Sequence, residues 1–484
     1  MNWVLLLQIA YIILVILVIL RVLYDTRSGT KTLAYILFVV FVPFVGMIFY
    51  FSFGINYRKR KLYSKKMLMD EPLRKSLTHK MDIYSETISK SGLIAERRAT
   101  LVEFIRRSGN SPLTANNELK LLVNGEEKFP VLLEALEKAT CHIHLEYYIY
   151  EDDLTGNQVA ELLIRKAKAG VEVRFMYDDF GSHDLKKSFL KKLNDAGVQT
   201  APFYKVKWYA LANRLNYRNH RKIVIIDGSV GFVGGINMSD TYRNDLDEAK
   251  HLYWRDTHLM IHGQATAYLQ YLFMADWNFC STTPLEYAEG YFPDSTRQYA
   301  IGDEVLQFAA SGPDSTQPVI LYALLQAIAS AKKRIHITSP YFIPGESMMD
   351  ALIIAIKSGL DVKLIIPGVS DSKMVNTAAS AYYTELLQYG AKIYKYNKGF
   401  VHAKTMVIDD DLAIIGSANM DYRSFDLNFE VNAMVYSKNM TAQLSEVFEN
   451  DLKASVQIDA AAWGNRPKRV HLWEKVVRLL SPFL

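Results

Sequence analysis

The chain reads GFVHAKTMVIDDDLAIIGSANMDYRSFDLNFE at residues 399–430 and NHRKIVIIDGSVGFVGGIN at residues 219–237. Both stretches contain His-x-Lys, four residues, an aspartate, six residues, and then Gly-Ser or Gly-Gly followed by x-Asn. One His-x-Lys is common by chance, but the same offsets repeated in two long stretches are not. The pair therefore indicates a duplicated structural unit, and we expect the rest of the chain to be arranged around it.

The sequence before each stretch alternates in the same way between helical and strand-like patterns. The first set is VLLEALEKA, CHIHLEYYIY, NQVAELLIRKAKAG and VEVRFMYDD, and the second is VILYALLQAIASA, KRIHITSPYFI, MMDALIIAIKSG and LDVKLIIP. The strand runs are apolar along their length, as in strands buried on both faces of a sheet. The pattern predicts two α/β lobes. His144 and His336 occupy matching strand positions, and we expect them to pack in the sheet rather than to act in catalysis.

Length and composition limit the class of protein. A chain of 484 residues is too long for one ordinary core, which favours two domains and an appendage. Half of its residues are hydrophobic and 12% are aromatic, and this composition excludes a disordered chain. Two cysteines, Cys141 and Cys280, make neither a disulfide framework nor a CxxC pair, and we expect both to be buried and reduced.

Two apolar segments open the chain. Residues 3–20 and 33–53 carry no charge, and each is near the roughly 20 residues that cross a bilayer as a helix. A cleaved signal peptide is the alternative for the first, but it lacks a basic start and a small-residue cleavage site, and a second segment follows at once. We therefore predict a transmembrane hairpin over residues 1–56.

The flanking charges predict its orientation. Arg21, Arg27 and Lys31 lie near or within the short loop, whereas six basic residues fall between 58 and 66. By the positive-inside rule the hairpin is a multi-pass anchor in the cell membrane, with the large C-terminal part on the cytoplasmic side. The same basic run is expected to attract anionic lipid.

The remaining boundaries follow from composition. A polar helical linker is expected over 57–115, the first lobe over 116–290, the second lobe over 291–460, and a basic amphipathic tail over 461–484. Turn formers and tyrosines at 282–303 fit a surface connection or a lid. The tail fits either an interfacial helix or a helix docked on the core.

The spacing within the stretches suggests chemistry on an anion. Because side chains two apart in a strand share a face, His220 lies beside Lys222 and His402 beside Lys404. Two such pairs facing each other would supply a histidine nucleophile, a histidine acid and two cations for phosphoryl oxygens. Such a site needs no metal or other cofactor, and the lysines would repel a zinc ion held by the histidines.

Each strand is followed by a turn signal and a returning strand. Asp227 with Gly228, and Asp409 in the second stretch, predict hairpin turns. The returning strands would bring Asn237 in one stretch, and Ser417 with Asn419 in the other, back toward the His-Lys end. Amide and backbone donors would then face the phosphate.

At these residues the sequence resembles the phospholipase D superfamily, whose signature is this duplicated HKD motif. The resemblance extends over the chain to the bacterial cardiolipin synthase family, through PFVGMIFYFSFG, the SGPD at 311–314 and LLSPFL. It implies a pseudo-twofold pair of phospholipase D-like α/β/α lobes with one site between them. It also implies a phosphatidyltransferase that converts two phosphatidylglycerols into cardiolipin and glycerol through a covalent phospho-histidine.

The resemblance also implies residue roles. His220 would be the nucleophile and His402 the acid and later the base, and the two roles could be reversed. The phosphate would be held by Lys222, Lys404, Asn237 and Asn419, with Ser417 nearby. Asp256 and Glu430 would orient the imidazoles, and we expect Glu430 to serve His402. Asp227 and Asp409 belong to the catalytic motif, although their place further along the strand favours a structural role. The first stretch departs from the second in having Gly235 where the second has Ser417, and in lacking RSF (423–425).

Several functions remain compatible with the motifs. Basic-aromatic segments precede both histidines, at 204–218 and 392–400, and such segments bind either nucleic acid or an anionic headgroup at a membrane. The predicted hairpin favours phosphatidylglycerol and anionic lipid as partners and disfavours nucleic acid. The alternatives are a phospholipid hydrolase, a membrane-anchored nuclease and a membrane scaffold without enzymatic activity, and oligomeric state is not predicted.

Overall fold

A computed structural model describes residues 3–26, 29–51, 85–203, 217–246, 252–292 and 301–481. The basic run at 58–66 and most of the basic-aromatic segment at 204–218 lie outside the described residues. So do parts of the predicted linker, of the connection at 282–303, and of the LLSPFL end.

Nineteen strands are described. In chain order they are β1 Thr114–Val123, β2 His142–Tyr147, β3 Glu172–Asp178, β4 Gln199–Phe203, β5 Ile223–Ile226, β6 Val230–Gly234, β7 Trp254–Arg255, β8 Thr257–His262, β9 Glu304–Ser311, β10 Arg334–Thr338, β11 Phe342–Ile343, β12 Asp361–Pro367, β13 Lys392–Tyr396, β14 Phe400–Val401, β15 Thr405–Ile408, β16 Leu412–Gly416, β17 Met420–Asp421, β18 Glu430–Val435 and β19 Ser455–Gln457.

Fifteen of these strands form one continuous sheet whose order shows the duplication. The order is β19-β13-β12-β10-β15-β16-β18-β9-β1-β8-β6-β5-β2-β3-β4. From the antiparallel β1–β9 pair outward, β8-β6-β5-β2-β3-β4 on one side matches β18-β16-β15-β10-β12-β13 on the other. The two halves are thus copies of one α/β unit joined edge to edge, as the repeated sequence predicts.

The helices named here fall into two groups: the first three in chain order pack with one another, and the later ones pack within the two lobes. They are α1 Trp3–Asp25, α2 Gly29–Phe41, α3 Pro43–Phe49, α4 Ala99–Gly109, α5 Asn124–Glu137, α6 Leu154–Lys168, α7 Lys187–Asp195, α8 Thr266–Cys280, α9 Val319–Ala329, α10 Glu346–Lys357, α11 Lys373–Tyr389, α12 Tyr422–Asp426, α13 Lys438–Lys453, α14 Ala460–Gly464 and α15 Lys468–Arg478. Every helix and strand predicted before the two motifs is present.

The two motif hairpins are built as their turn residues predict. β5 pairs antiparallel with β6, and β15 with β16. Asp227 and Asp409 adopt positive φ angles of 48° and 53°, and Gly228 follows Asp227 at 65°. Aspartate and glycine tolerate this left-handed conformation, which turns the chain back with the twist of the strands.

The segment before β1 belongs to the second half of the sheet. In the described part of the predicted linker, α4 buries Leu101 and Ile105 in the core that also contains α9, α10 and α11. Just before α4, the buried Arg98 donates to Asp409 at 3.1 Å and to Asp411 at 2.9 Å. This part of the chain is therefore a packed component of the second lobe rather than a polar linker.

The N-terminal segments are helical, and one of them has the length of a membrane span. Within the described residues, α1 is the helix long and apolar enough to cross a bilayer. The second predicted span is divided into α2 and α3, because Pro43 has no N–H for a continuous helix. Val22 and Val39 are buried in a small cluster where α1 meets this second segment.

Two further expectations can be compared with the structure. His144 stacks on Phe273 with ring centroids 4.5 Å apart, and His336 stacks on Phe448 at 4.7 Å, so both pack in the sheet as predicted. The cysteines are not buried as expected: Cys141 is exposed and Cys280 is partly exposed, and neither forms a disulfide among the described residues. Cys141 lies at the loop entering β2 and Cys280 at the last turn of α8, where small side chains meet the surface.

Candidate active site

The two motif histidines lie where the halves of the sheet meet. The backbone N–H of His220 donates to the carbonyl of Phe429 at 3.0 Å, and Phe429 donates to Arg218 at 2.8 Å. In the other half, His402 donates to the carbonyl of Arg255 at 2.7 Å, and β14 pairs in parallel with β7. The backbone that carries each histidine is therefore hydrogen-bonded to the other lobe.

This arrangement exchanges the carboxylate partners between the lobes. Nδ1 of His220 lies 2.9 Å from Oε1 of Glu430, and Nδ1 of His402 lies 2.6 Å from Oδ2 of Asp256. The expectation that Glu430 orients His402 is wrong. The partner exchange follows from the strand pairing, since Glu430 directly follows Phe429 and Asp256 directly follows Arg255. Neither half-site is complete without the other lobe.

Each motif lysine contacts the histidine of its own motif. Nζ of Lys222 donates to the carbonyl of His220 at 2.6 Å, and Nζ of Lys404 lies 3.0 Å from Nε2 of His402. Each lysine influences both imidazoles, because Lys404 lowers the pKa of His220 and Lys222 lowers the pKa of His402. The four side chains are buried and form one cluster.

The predicted phosphate-binding and orienting residues fall into different environments. Ser417 donates to Oε2 of Glu430 at 2.5 Å, so its hydroxyl supports the carboxylate. Asn237 donates to the Tyr242 hydroxyl at 2.6 Å. Asn419 is buried, and its side-chain oxygen has no hydrogen-bond partner among the described residues. A buried amide of this kind is available to a ligand.

The difference between Gly235 and Ser417 has a steric reason. A Cβ on Gly235 would lie 2.1 Å from Oδ1 of Asp256 and 2.8 Å from its Cγ. Asp256 thus occupies the space that a side chain at this position would need, whereas Ser417 has room to bond Glu430. The two half-sites are related by the fold but differ in how each carboxylate is held.

Asp227 and Asp409 are not brought to the histidines. Asp227 accepts from the backbone N–H groups of Cys141 and His142, each at 2.8 Å. Asp409 accepts from the N–H of Lys333 at 2.7 Å and pairs with Arg98. Their predicted place in the catalytic set has no support from these contacts, because four residues of extended strand lie between each aspartate and the motif lysine, a distance of roughly 16 Å. Asp227 therefore stabilises the start of β2, and Asp409 stabilises the start of β10.

Aromatic side chains enclose the site, and the motif analysis did not identify them. The ring of Tyr148 meets His220 edge-on with centroids 4.8 Å apart. The rings of Trp254, Tyr242 and Phe400 lie 5.3, 5.7 and 5.8 Å from His402. Proximity in sequence was the available signal: Tyr148 directly follows β2, the strand that pairs with β5, and Trp254 lies two residues before Asp256.

Burial sets the protonation of the histidines. It lowers the pKa of His220 to about 4, with Lys222 and Lys404 acting in the same direction against Glu430. It lowers the pKa of His402 to about 3, again reinforced by Lys404 and opposed by Asp256. Both imidazoles are therefore neutral near pH 7.

The lysines and carboxylates respond to the same environment. Burial lowers the pKa of Lys222 to about 7 and that of Lys404 to about 8. For Asp256 burial acts upward, but Lys404 and His402 outweigh it, and the net pKa shift is downward. Glu430 behaves alike: burial acts upward, and its neighbours, led by His220, bring the pKa down. A neutral imidazole that is hydrogen-bonded to a carboxylate is suited to nucleophilic attack. The protonated form of each lysine is suited to binding an anionic ligand.

Comparison with known proteins agrees with this architecture. The family model described as "Cardiolipin synthase, PLD-like domain" matches residues 132–271 and 324–452. A second model, described as "Phospholipase_D-nuclease N-terminal", matches residues 10–54. The two segments of the first model fall on the two halves of the sheet.

Related sequences extend over nearly the whole chain. A protein named cardiolipin synthase from Geobacillus sp. (strain WCH70) is 43% identical over 95% of this chain and 90% of its own length. Another of that name, from Listeria monocytogenes serotype 4b (strain CLIP80459), is 39% identical over 99% of both chains. The crystal structure of phosphatidylserine synthase from Haemophilus influenzae Rd KW20 superimposes with a TM-score of 0.60, covering 80% of this chain and 100% of that chain. At 13% identity the structural match shows a shared fold. The duplicated lobes, the shared site and the full-length relatives together show that the chain belongs to the cardiolipin synthase family of phospholipase D-like proteins.

Proposed function

We propose that this enzyme transfers a phosphatidyl group from one phosphatidylglycerol to another, giving cardiolipin and glycerol. The observation that carries the proposal is the cluster of two neutral histidines and two lysines, with each histidine held by a carboxylate from the other lobe. Such a cluster can bind one phosphodiester and act on it from two sides.

In the first step, Nε2 of His220 attacks phosphorus and the bond from phosphorus to the glycerol oxygen breaks. His402 donates a proton to that oxygen, so glycerol leaves as a neutral alcohol. Glu430 stabilises the positive charge that develops on His220. The ammonium groups of Lys222 and Lys404 stabilise the phosphoryl oxygens, where other phosphoryl-transfer enzymes use magnesium.

The proton on His402 has a physical origin in substrate binding. Burial lowers the pKa of His402, and the charge of Lys404 lowers it further. A bound phosphodiester places a negative charge beside both lysines, which opposes their effect and raises the histidine pKa. Binding of phosphatidylglycerol is therefore coupled to proton uptake.

In the second step, His402 takes a proton from the terminal hydroxyl of the second phosphatidylglycerol. The resulting oxygen attacks phosphorus, the bond from phosphorus to Nε2 of His220 breaks, and cardiolipin forms. The buried and aromatic surroundings of His402 favour a lipid alcohol over water as the acceptor.

The membrane placement belongs to the same proposal. Residues 1–56 form a two-pass hairpin, and the lobes, divided at about residue 290, lie on the cytoplasmic side near anionic lipid. The apolar α1, its packing against the segment containing α2 and α3, and the basic run in the sequence at 58–66 support this placement.

Purified full-length protein in mixed micelles with labelled phosphatidylglycerol and EDTA tests the function. The proposal predicts labelled cardiolipin and one glycerol released per cardiolipin, and loss of both in His220→Ala and His402→Ala. Phosphatidic acid as the sole product would instead identify a hydrolase. If the parent enzyme formed neither cardiolipin nor phosphatidic acid, a scaffold without enzymatic activity would be favoured, and dependence of the reaction on added metal would contradict the lysine-based mechanism.

A further inference from the structure

The C-terminal helix α15 and the turn that follows it, at Leu479 and Leu480, expose a continuous apolar face. Leu472, Trp473 and Leu479 are 65%, 61% and 77% exposed, and Val476 and Leu480 are also exposed. Residues three, four and seven apart share one side of a helix, so these five side chains form one surface, named here the outer face. Large apolar residues grouped in this way on a surface mark an interaction site.

The opposite side of α15 is held on the second lobe. Val477 is buried in the core, and the hydroxyl of Tyr382 on α11 donates to Ser481 at 3.2 Å. The buried Glu474 receives two hydrogen bonds from Arg466, at 2.7 and 3.0 Å. Because these contacts fix the rotation of the helix, the outer face cannot turn inward to become part of the core. The sequence left open whether the tail docks on the core or on a membrane; the structure shows the core contact along one side only.

The charges beside the outer face define its partner. Lys468, Arg469 and Lys475 are exposed, and Lys468, Leu472, Lys475 and Leu479 follow one another along one side of the helix. Lysine and arginine can extend their charged ends toward phosphate headgroups while their stems stay with apolar neighbours. Tryptophan and leucine beside basic residues are the composition of helices that lie in a membrane interface.

We propose that the outer face of α15 is a membrane-binding surface that inserts into the headgroup region of an anionic bilayer. The catalytic lobes then have a second attachment, independent of the N-terminal segments, on the surface of the second lobe. This attachment fixes the rotation of the lobes on the bilayer, because it adds a second point of contact to that of the N-terminal segments. The proposal does not require the proposed reaction, since it concerns a surface contact.

Lipid quenching of a fluorescent label tests this directly in the full-length protein. In a Cys141→Ser, Cys280→Ser background, Leu472→Cys is labelled with an environment-sensitive fluorophore and the protein is reconstituted into vesicles of phosphatidylglycerol and phosphatidylcholine. A lipid carrying a quencher near the headgroup is then added to the vesicle composition. We expect at least two-fold quenching and a blue-shifted emission relative to detergent solution.

Gln443→Cys provides the matched control. Gln443 is exposed on α13, whose Phe448 stacks on His336, whereas the neighbouring Ile335 and Ile337 face the core that contains α11. α13 and α15 therefore lie on opposite faces of the sheet, and we expect a label at Gln443 to keep its aqueous emission. Equal quenching at both positions, or none at Leu472, would overturn the proposal.

Two further measurements test whether binding depends on the charge of the lipid and whether the outer face instead joins two protein chains. Lys468→Glu with Lys475→Glu is expected to reduce quenching of the Leu472 label in anionic vesicles at least two-fold, with cardiolipin synthesis in mixed micelles unchanged. If the label instead transfers energy between protein copies in detergent and ignores the lipid quencher, the outer face is a contact between two chains and the membrane proposal is wrong.

Discussion

Gly235→Ala tests whether the carboxylate supplied by the first lobe controls the histidine of the second. The added Cβ would lie 2.1 Å from Oδ1 of Asp256, well inside any real contact, so the carboxylate must move by about 1 Å. The bond from Nδ1 of His402 to Asp256, now 2.6 Å, then approaches or passes the limit of about 3.5 Å for a hydrogen bond. His402 loses the group that fixes its orientation and stabilises its protonated form.

The expected cost is about 100-fold in kcat, or roughly 2.7 kcal/mol of transition-state stabilisation. The change in KM should be smaller, because both lysines keep their positions. Initial rates of cardiolipin formation from phosphatidylglycerol in mixed micelles give both constants, and circular dichroism with thermal unfolding verifies the fold.

Gly231→Ala, in the strand β6 that ends just before Gly235, is the matched control. Its Cβ would meet the end of Leu269 at 3.0 Å and Thr266 at 3.3 Å, which are side-chain atoms with room to adjust, and we expect kcat within about two-fold of the parent. A Gly235→Ala enzyme that folds normally and keeps kcat within two-fold would refute the role given to Asp256.

Three other outcomes follow from the same structure. Because burial lowers the pKa of Lys222 to about 7 and that of Lys404 to about 8, the cations are present below these values and lost above them, so kcat/KM should fall as pH rises from 7 to 9; a flat profile would contradict their role. Glu430→Gln keeps the shape but not the charge, and it should lower kcat by about 100-fold or more with little change in KM, as measured in the same assay. Arg98→Met removes the buried cation of Asp409 and leaves the carboxylate only the more exposed Arg97 at 3.4 Å, so the thermal unfolding midpoint should fall while kcat stays within about two-fold; a large loss of kcat at an unchanged midpoint would place this aspartate in the chemistry after all.

Much of the α/β core could be predicted from local patterns. The apolar runs that became β2, β3, β10 and β12 alternate with amphipathic helices, and the turn residues at Asp227 and Asp409 predict the motif hairpins. The central pair β1 and β9 was not predicted. Both strands precede the recognisable repeat in their halves, and their pairing joins residues nearly 200 positions apart, which no local pattern reports.

The site residues were predicted better than their partners. The repeated spacing is enough to identify the candidate residues His220, Lys222, His402 and Lys404. The exchange of Asp256 and Glu430 between lobes depends on tertiary strand pairing through Arg255 and Phe429, and sequence proximity suggested the opposite arrangement for Glu430. The aromatic rings around His402 come from separate segments that meet only in the folded chain.

The burial of the basic residues is also a tertiary property. Arg98 appears in sequence as one of several charges in a polar stretch, but it is enclosed because Asp409 and Asp411 lie at the turn beside it. From the sequence, the tail could be an interfacial helix or a helix docked on the core, because its apolar and basic residues fit both. Only the contacts of Val477 and Ser481 distinguish its inner side from its outer face.

The covalent intermediate tests the central claim most directly, since it requires one histidine from each lobe to act on the same phosphorus. The parent enzyme, which keeps the acid that releases glycerol, is mixed with phosphatidylglycerol labelled in its acyl chains, stopped within a single turnover at neutral pH in detergent, and digested for mass spectrometry. The account predicts a phosphatidyl group on the peptide containing His220, and none in the His220→Ala, His402→Ala double variant. Cardiolipin formation at the parental rate by His220→Ala, or label on neither histidine under single-turnover conditions, would contradict it.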